Sequence, residues 1–330
     1  MADRLISGAA LEFFGFRFLS MSSVTKPSDA APLQEKVLKG ILFMCLAVSL
    51  FPVMNAAVKY LSTDYSITQI VWARYAGHFI YMVIAFMPRY GRNLFYSVKP
   101  GIQAMRSLLA FGSTTIYFTA LGYISLPMAA AISFVSPFFV TALAGPVLGE
   151  QVGWRRWLAV AAGFTGALII IRPGAAGFHW AMLLPVMSAF CYGLYQLLTR
   201  KISAADSPET TILYTAFVGL AVISFIAPFD WRWPPMDGDG AWDIVLFLSL
   251  GFFGGFGHYC VVKALQFGPA AVIAPFTYGQ LVGATLFGFI LFGDFPDFWV
   301  WVGAALIVGS GIFITWRESR VRQLAPKTTA

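Results

Sequence analysis

The sequence predicts an all-α polytopic membrane protein with ten transmembrane helices, arranged as two inverted five-helix repeats with both termini cytoplasmic. Three observations predict this fold class: the composition, a series of ten apolar segments, and an internal repeat. Of the 330 residues, 58% are hydrophobic and only 11% are charged. Those charges are too few to cover the surface of a soluble domain of this length, so much of the surface must face lipid.

Residues 1–39 are predicted to form a cytoplasmic tail. Their apolar stretch is short and is interrupted by Glu12 and Arg17, so it can neither span a bilayer nor serve as the core of a signal peptide. An alternative is that translation starts at Met21, which would leave the first twenty residues unexpressed. Residues 317–330 are predicted to form the second cytoplasmic tail.

Ten apolar segments lie between the tails, each close to the roughly 20 residues that a helix needs to cross a bilayer. They cover residues 40–60, 68–88, 103–122, 127–148, 155–172, 179–199, 211–229, 242–263, 269–292 and 298–316. With the N-terminus inside, 17 of the 22 Lys and Arg residues fall on the inner side and three on the outer side. The positive-inside rule therefore predicts cytoplasmic termini in a bacterial inner membrane, and the net charge of +7 reports this orientation, not a nucleic-acid partner.

The internal repeat appears when the sequence is shifted by 144 residues. LGEQVGWRRW at 148–157 then aligns with FGDFPDFWVW at 292–301, which places Gly149-Glu150 on Gly293-Asp294. The repeats are predicted to be 40–172 and 179–316. Because each holds an odd number of spans, the second enters the membrane upside down, which is the architecture that exposes one central site to either side alternately.

Three stretches carry a resemblance to a known family: NAAVKY at 55–60, LPMAAAISFVSPFFVTALAGPVLGEQVGWRRW at 126–157 and GFTGALIIIRPG at 163–174. Together and in this order they resemble the EamA type of the drug/metabolite transporter superfamily, over about residues 40–316. The second half departs in having FGD for LGE and no arginine pair after it. The resemblance implies secondary transport of small organic solutes, such as export of amino acids, import of S-adenosylmethionine, or nucleotide-sugar exchange.

The candidate substrate site consists of polar side chains within the spans, near the midplane. The candidates are Asn55, Arg74, Tyr117, Ser133, Ser136, Tyr192, Tyr195, Gln196, Tyr278 and Gln280. Inserting an arginine costs about 2.5–3.5 kcal/mol, so Arg74 must be paired, either structurally between helices or with an anionic group of the substrate. Pro137 and Pro275 interrupt the fourth and ninth segments, and such paired interruptions indicate a transporter site.

Other charged and titratable residues have two interpretations each. His78 and His258 are candidates for proton coupling, or else they are interhelical hydrogen-bond partners. Arg106 is expected to snorkel to the inner interface, or else to attract an anionic group of the substrate. A gate of ion pairs could form from Glu150, Arg155 and Arg156, which could equally be membrane anchors.

The predicted function is secondary transport of an amino acid or a related zwitterion or anion, by export or exchange. The alternatives are uptake of S-adenosylmethionine-like solutes and a lipid-carrier flippase. No Asp or Glu lies at the centre of a span, which disfavours an antiporter for cationic drugs. An embedded enzyme is disfavoured because there is no HExxH and no nucleophile–base set. We expect no cofactor and no metal; the partners are a small-molecule substrate and the bilayer, and a monomer and a homodimer both remain open.

Overall fold

The computed structural model describes residues 27–203, 205–235 and 240–324, and those ranges are helical and contain no β-strand. The helices are α1 (Pro27–Leu61), α2 (Ile67–Tyr90), α3 (Pro100–Leu121), α4 (Leu126–Ser133), α5 (Ser136–Leu148), α6 (Trp154–Ile171), α7 (Leu183–Ile202), α8 (Pro208–Ser224), α9 (Gly240–Phe267), α10 (Ala270–Ile273), α11 (Gly279–Phe292) and α12 (Phe298–Leu324). Residues 1–26 of the predicted tail at 1–39, with the alternative start at Met21, and the last six residues of the chain lie outside the described ranges.

Eight helical segments of the described chain are long and apolar enough to cross a bilayer. They are Glu35–Leu61, Ile67–Phe95, Leu126–Leu148, Trp154–Ile171, Trp180–Ile202, Gly240–Phe267, Ala274–Phe292 and Phe298–Arg317. Of the two remaining predicted spans, α8 is shorter and α3 carries several polar residues, and both pack against the long helices. The prediction of an all-α, multi-pass membrane protein is thus confirmed.

Helix ends in the two halves are built alike. The Oγ atoms of Ser66 and Ser207 cap α2 and α8 by accepting a hydrogen bond from the backbone N–H three residues later, at 3.3 and 3.1 Å. Gly149 and Gly293 end α5 and α11 with φ of 73° and 70°, a left-handed conformation that glycine adopts without strain. The local sequence therefore starts and stops corresponding helices at corresponding points.

The helix pairs that pack together are the ones expected if a pseudo-two-fold axis relates the two halves. α1 packs on α9 as α7 packs on α3, and α1 packs on α11 as α7 packs on α5. The pairs α2 with α8 and α6 with α12 each join equivalent helices of the two halves. The core is therefore formed between the halves as much as within them.

Glycines allow two helix pairs, α2 with α9 and α6 with α12, to touch through their backbones. A Cβ atom added to Gly77 of α2 would lie 2.7 Å from the Cα of Gly251 in α9, and one added to Gly166 of α6 would lie 2.7 Å from the carbonyl oxygen of Gly303 in α12. Small residues at such crossings are what membrane helices use for close association. The α2–α9 crossing brings the polar residues of those two helices together.

The fourth and ninth segments are both interrupted, at Phe134–Val135 between α4 and α5, and at the 3-10 turn Ala274–Tyr278 before α11. The ring centroids of Phe134 and Tyr278 are 4.9 Å apart. These two residues are 144 positions apart in the chain, so equivalent breaks meet each other between the halves.

Candidate functional site

Three of the residues singled out in the sequence form one cluster between α2 and α9. Arg74 is 5% exposed, and its Nη2 atom lies 3.3 Å from Nε2 of His258. His78, which is 1% exposed, has its ring nearly parallel to that of His258 at 6.0 Å. Positions 74 and 78 are one turn apart on α2, so both side chains face the same neighbouring helix.

This cluster contains hydrogen-bonding atoms that the described side chains leave without a partner. They are Nε and Nη1 of Arg74 and both ring nitrogens of His78. Buried polar atoms normally find partners, because leaving one unpaired costs about 1–3 kcal/mol. The Arg74 guanidinium also lies 4.8 Å from the Tyr75 ring and 5.9 Å from the Phe118 ring. Arg74 therefore lies against aromatic rings with donor atoms that no described side chain satisfies.

A second cluster joins α7 to α5 and α3. The rings of Tyr192 and Tyr195 are nearly parallel at 5.4 Å, and Nε2 of Gln196 lies 3.4 Å from Oγ of Ser136. The guanidinium of Arg106 lies 4.6 Å from the Tyr195 ring. The four predicted residues are thus placed together, and a basic group covers one face of the tyrosine pair.

Arg106 does not snorkel to the interface, so that expectation was wrong. It is fully buried and donates hydrogen bonds to Oγ1 of Thr199 at 2.9 Å, Oε1 of Gln103 at 3.0 Å and the carbonyl oxygen of Thr211 at 2.8 Å. α3 packs between α7 and α8, so these protein partners take the place of interfacial water. The sequence signal that could have found this is the Gln103–Arg106 pair, spaced three residues apart on one helix face.

The remaining candidates are placed individually. Asn55 is buried in α1, and Oγ of Ser133 donates to the Ala129 carbonyl of its own helix at 2.9 Å. Tyr278 is the residue that contacts Phe134. Tyr117 on α3 and Gln280 on α11 are partly buried.

Glu150 makes an ion pair with the other half of the chain. Glu150 pairs with Arg200 of α7 at 2.6 Å, and the Arg155 guanidinium lies over the Trp154 ring at 5.3 Å. Gly149, in the left-handed conformation, ends α5 directly before Glu150. Arg156 lies in the first turn of α6, one position after Arg155.

A partly buried network ties the α2–α3 loop to the α7–α8 loop. Asp206 accepts hydrogen bonds from Oγ of Ser97 at 2.6 Å, the N–H of Val98 at 2.8 Å and Nε2 of Gln103 at 2.8 Å. Burial acts to raise the pKa of Asp206, but these hydrogen bonds and the charge of Lys99 hold the pKa below its usual 3.8. The ionised carboxylate therefore connects the halves at this end.

The described side chains include no group of three or more His, Cys, Asp or Glu residues placed to hold a metal ion. The polar clusters are instead made of guanidinium, imidazole, phenol and amide groups. Such groups orient an organic molecule by hydrogen bonding and stacking.

Comparison with known proteins gives consistent matches. The model of the EamA-like transporter family matches residues 38–172 and again 179–316. A riboflavin transporter of Vibrio cholerae is 31% identical over 88% of this chain and 98% of its own, and one of Rhizobium johnstonii is 31% identical over 87% and 94%. An S-adenosylmethionine uptake transporter of Rickettsia prowazekii is 25% identical over 86% and 94%.

One solved crystal structure superposes on the chain with a TM-score of 0.59. It covers 87% of this chain and 99% of its own at 18% identity, so the likeness concerns the fold alone.

Proposed function

Because the chain belongs to the EamA-like transporter family, and its relatives are small-metabolite transporters and not enzymes, we propose that it takes up a flat, uncharged heterocyclic metabolite of the riboflavin type. Uptake proceeds by alternating access through a site between the two halves. The observation that carries this proposal is the buried Arg74, whose unpaired N–H groups lie among aromatic rings.

The proposal includes a topology of ten spans with inverted repeats and cytoplasmic termini in a bacterial inner membrane. α4 with α5, and α10 with α11, each count as one interrupted span, while α3 and α8 complete the ten. The excess of basic residues on one side and the two-fold packing pattern support this topology. The bacterial relatives support the membrane assignment.

The chemistry of the site favours an uncharged ring with carbonyl oxygens. The unpaired guanidinium N–H groups of Arg74 would donate to such oxygens, and the rings of Tyr192 and Tyr195 offer stacking surfaces. A riboflavin-type ring system presents both features, and its polar side chain suits the hydroxyl and amide groups of Ser136 and Gln196.

S-adenosylmethionine is the second candidate, because several relatives are named as its uptake transporters. Its sulfonium would lie near the positive charges of Arg74 and Arg106, and no Asp or Glu of the sequence lies at the centre of a span to offset them. An exported amino acid fits Arg74 through its carboxylate but leaves its ammonium group without an acidic partner. A lipid-linked substrate is the remaining alternative.

The test uses purified protein in liposomes, with labelled riboflavin, S-adenosylmethionine and a mixed amino-acid pool, each with and without a pH gradient. We expect saturable riboflavin uptake that excess S-adenosylmethionine does not inhibit, together with quenching of flavin fluorescence on binding. Movement of S-adenosylmethionine or amino acids without riboflavin would refute the substrate class. Stimulation by a pH gradient would make His78 and His258 the next residues to substitute.

A further inference from the structure

Two ion pairs join the halves of the protein at opposite ends of the bundle. Glu150 pairs with Arg200 at 2.6 Å, and Lys59 pairs with Asp294 at 3.2 Å. In both, the acidic residue lies in the loop before the last helix of one half, and the basic residue lies on the first helix of the other half. The two ion pairs are therefore equivalent contacts, related by exchanging the two halves of the chain.

The correspondence extends to the backbone. Lys59 and Arg200 each lie two residues before the last residue of their helix, α1 or α7. Glu150 and Asp294 each directly follow a glycine in the left-handed conformation. Each acidic residue also donates its backbone N–H to a carbonyl six residues earlier, at 3.3 and 2.9 Å. The two acidic side chains are therefore held in equivalent positions.

The two pairs differ in how far water reaches them. The side chains of Arg200 and Glu150 are 52% and 33% exposed, and those of Lys59 and Asp294 are 19% and 30% exposed. The Oδ2 atom of Asp294, which makes the second pair, is shielded from solvent. An ion pair that water reaches contributes little to stability, so loss of the Glu150–Arg200 pair is compatible with a reversible movement, and the Lys59–Asp294 pair is the tighter of the two.

A third ion pair, between Arg172 and Asp297, provides the contrast. It lies at the end of the bundle where α6 finishes and α12 begins, next to the seam of Gly166 and Gly303 along which these helices pack. The 144-residue shift places these two positions on Trp316 and Gly153, so the pair has no charged counterpart. The Arg172–Asp297 pair therefore accompanies the close packing of α6 and α12 and is not one of the two symmetric pairs.

We propose that the two symmetric ion pairs are the gates of the transport path. The Glu150–Arg200 pair closes the cytoplasmic end, the Lys59–Asp294 pair closes the external end, and each breaks while the other stays formed. In the present structure both pairs are formed. This assignment of sides rests on the topology given under the proposed function.

The test measures access to the centre of the bundle from each side. The native Cys45, Cys191 and Cys260 are replaced, a reporter cysteine is placed at Ser133, and a membrane-impermeant maleimide is applied to one face of oriented proteoliposomes. We expect Glu150→Gln to raise labelling from the cytoplasmic face and lower it from the external face. The expected change is about two- to fivefold, the population shift that loss of one exposed pair gives.

Asp294→Asn should produce the opposite change, with faster labelling from the external face. Asp297→Asn is the matched control and should leave both rates unchanged. The double exchange Glu150→Arg with Arg200→Glu should restore the original rates, which a variant that is merely misfolded would not do.

Equal changes at both faces, or the same response from Asp297→Asn, would overturn the proposal. Failure of the double exchange to restore labelling, in protein that unfolds at the original temperature, would overturn it as well. The labelling requires no substrate, so an absence of riboflavin transport would refute the substrate class without affecting this result.

Discussion

Substituting Arg74 by methionine separates the two roles that this arginine can have. If Arg74 holds α2 and α9 together, its loss should destabilise the protein. If it binds substrate, its loss should weaken binding and leave stability unchanged or increased. The unpaired Nε and Nη1 atoms favour the second outcome, because they contribute nothing to the fold in the absence of substrate.

The magnitude follows from the contacts of the side chain. Removing a buried arginine relieves an insertion cost of about 2.5–3.5 kcal/mol. The variant loses the hydrogen bond to His258, about 0.6 kcal/mol between membrane helices, and the cation–π contacts to Tyr75 and Phe118, about 1–2 kcal/mol together. The expected net change is thus between about zero and 2 kcal/mol of added stability. The loss of one charge-assisted hydrogen bond to substrate, about 1.5–3 kcal/mol, weakens binding by about 10- to 150-fold.

The assay combines thermal unfolding of the purified variant with riboflavin binding followed by flavin fluorescence. Arg172→Met is the matched control, because this arginine lies at the rim and pairs with Asp297; its effect on binding should be less than about twofold. A large fall in the unfolding temperature of Arg74→Met with little change in affinity would show that the residue is structural and would refute the reasoning.

Three further predictions concern other parts of the chain. Gly77→Leu should destabilise the protein by about 1–3 kcal/mol in thermal unfolding, because the new side chain enters the backbone contact with α9. Gly112→Leu is the control and should not destabilise it, because no atom lies within 4 Å of the Cβ position of Gly112. Asp206 stabilises the fold above pH 3.8, so the difference in unfolding temperature between the wild type and Asp206→Asn should shrink as the pH falls below that value. Gln196→Ala combined with Tyr195→Phe should raise the KM for uptake while expression and unfolding temperature hold.

Much of the candidate site could be predicted because lipid makes polar residues within spans informative. Arg74, His78 and His258 are identifiable as isolated polar residues in apolar segments, and the structure brings them together. The prediction for Arg106 was wrong, since a basic residue near a span end snorkels or is buried depending on which helices surround it. A sequence position alone does not contain that information.

For the two proposed gates as well, the sequence predicts one member of each ion pair and leaves the other open. The internal repeat by itself places Glu150 and Asp294 at equivalent positions of the two halves. Their partners, Arg200 and Lys59, lie far away in the chain, and no sequence pattern assigns them a role in a gate. A loop acid can reach several basic residues, and the conformation of the preceding glycine decides which one it meets.

Composition, apolar length and the internal repeat by themselves determined that this chain is an all-α membrane protein built from two related halves. Each segment must satisfy the bilayer by its own composition and length, wherever the other segments lie. These properties can therefore be predicted from the sequence segment by segment. Only the tertiary structure decided which polar side chains meet. Helix rotation and the close crossings at small residues set those contacts, and both depend on the partner helix as much as on the segment itself.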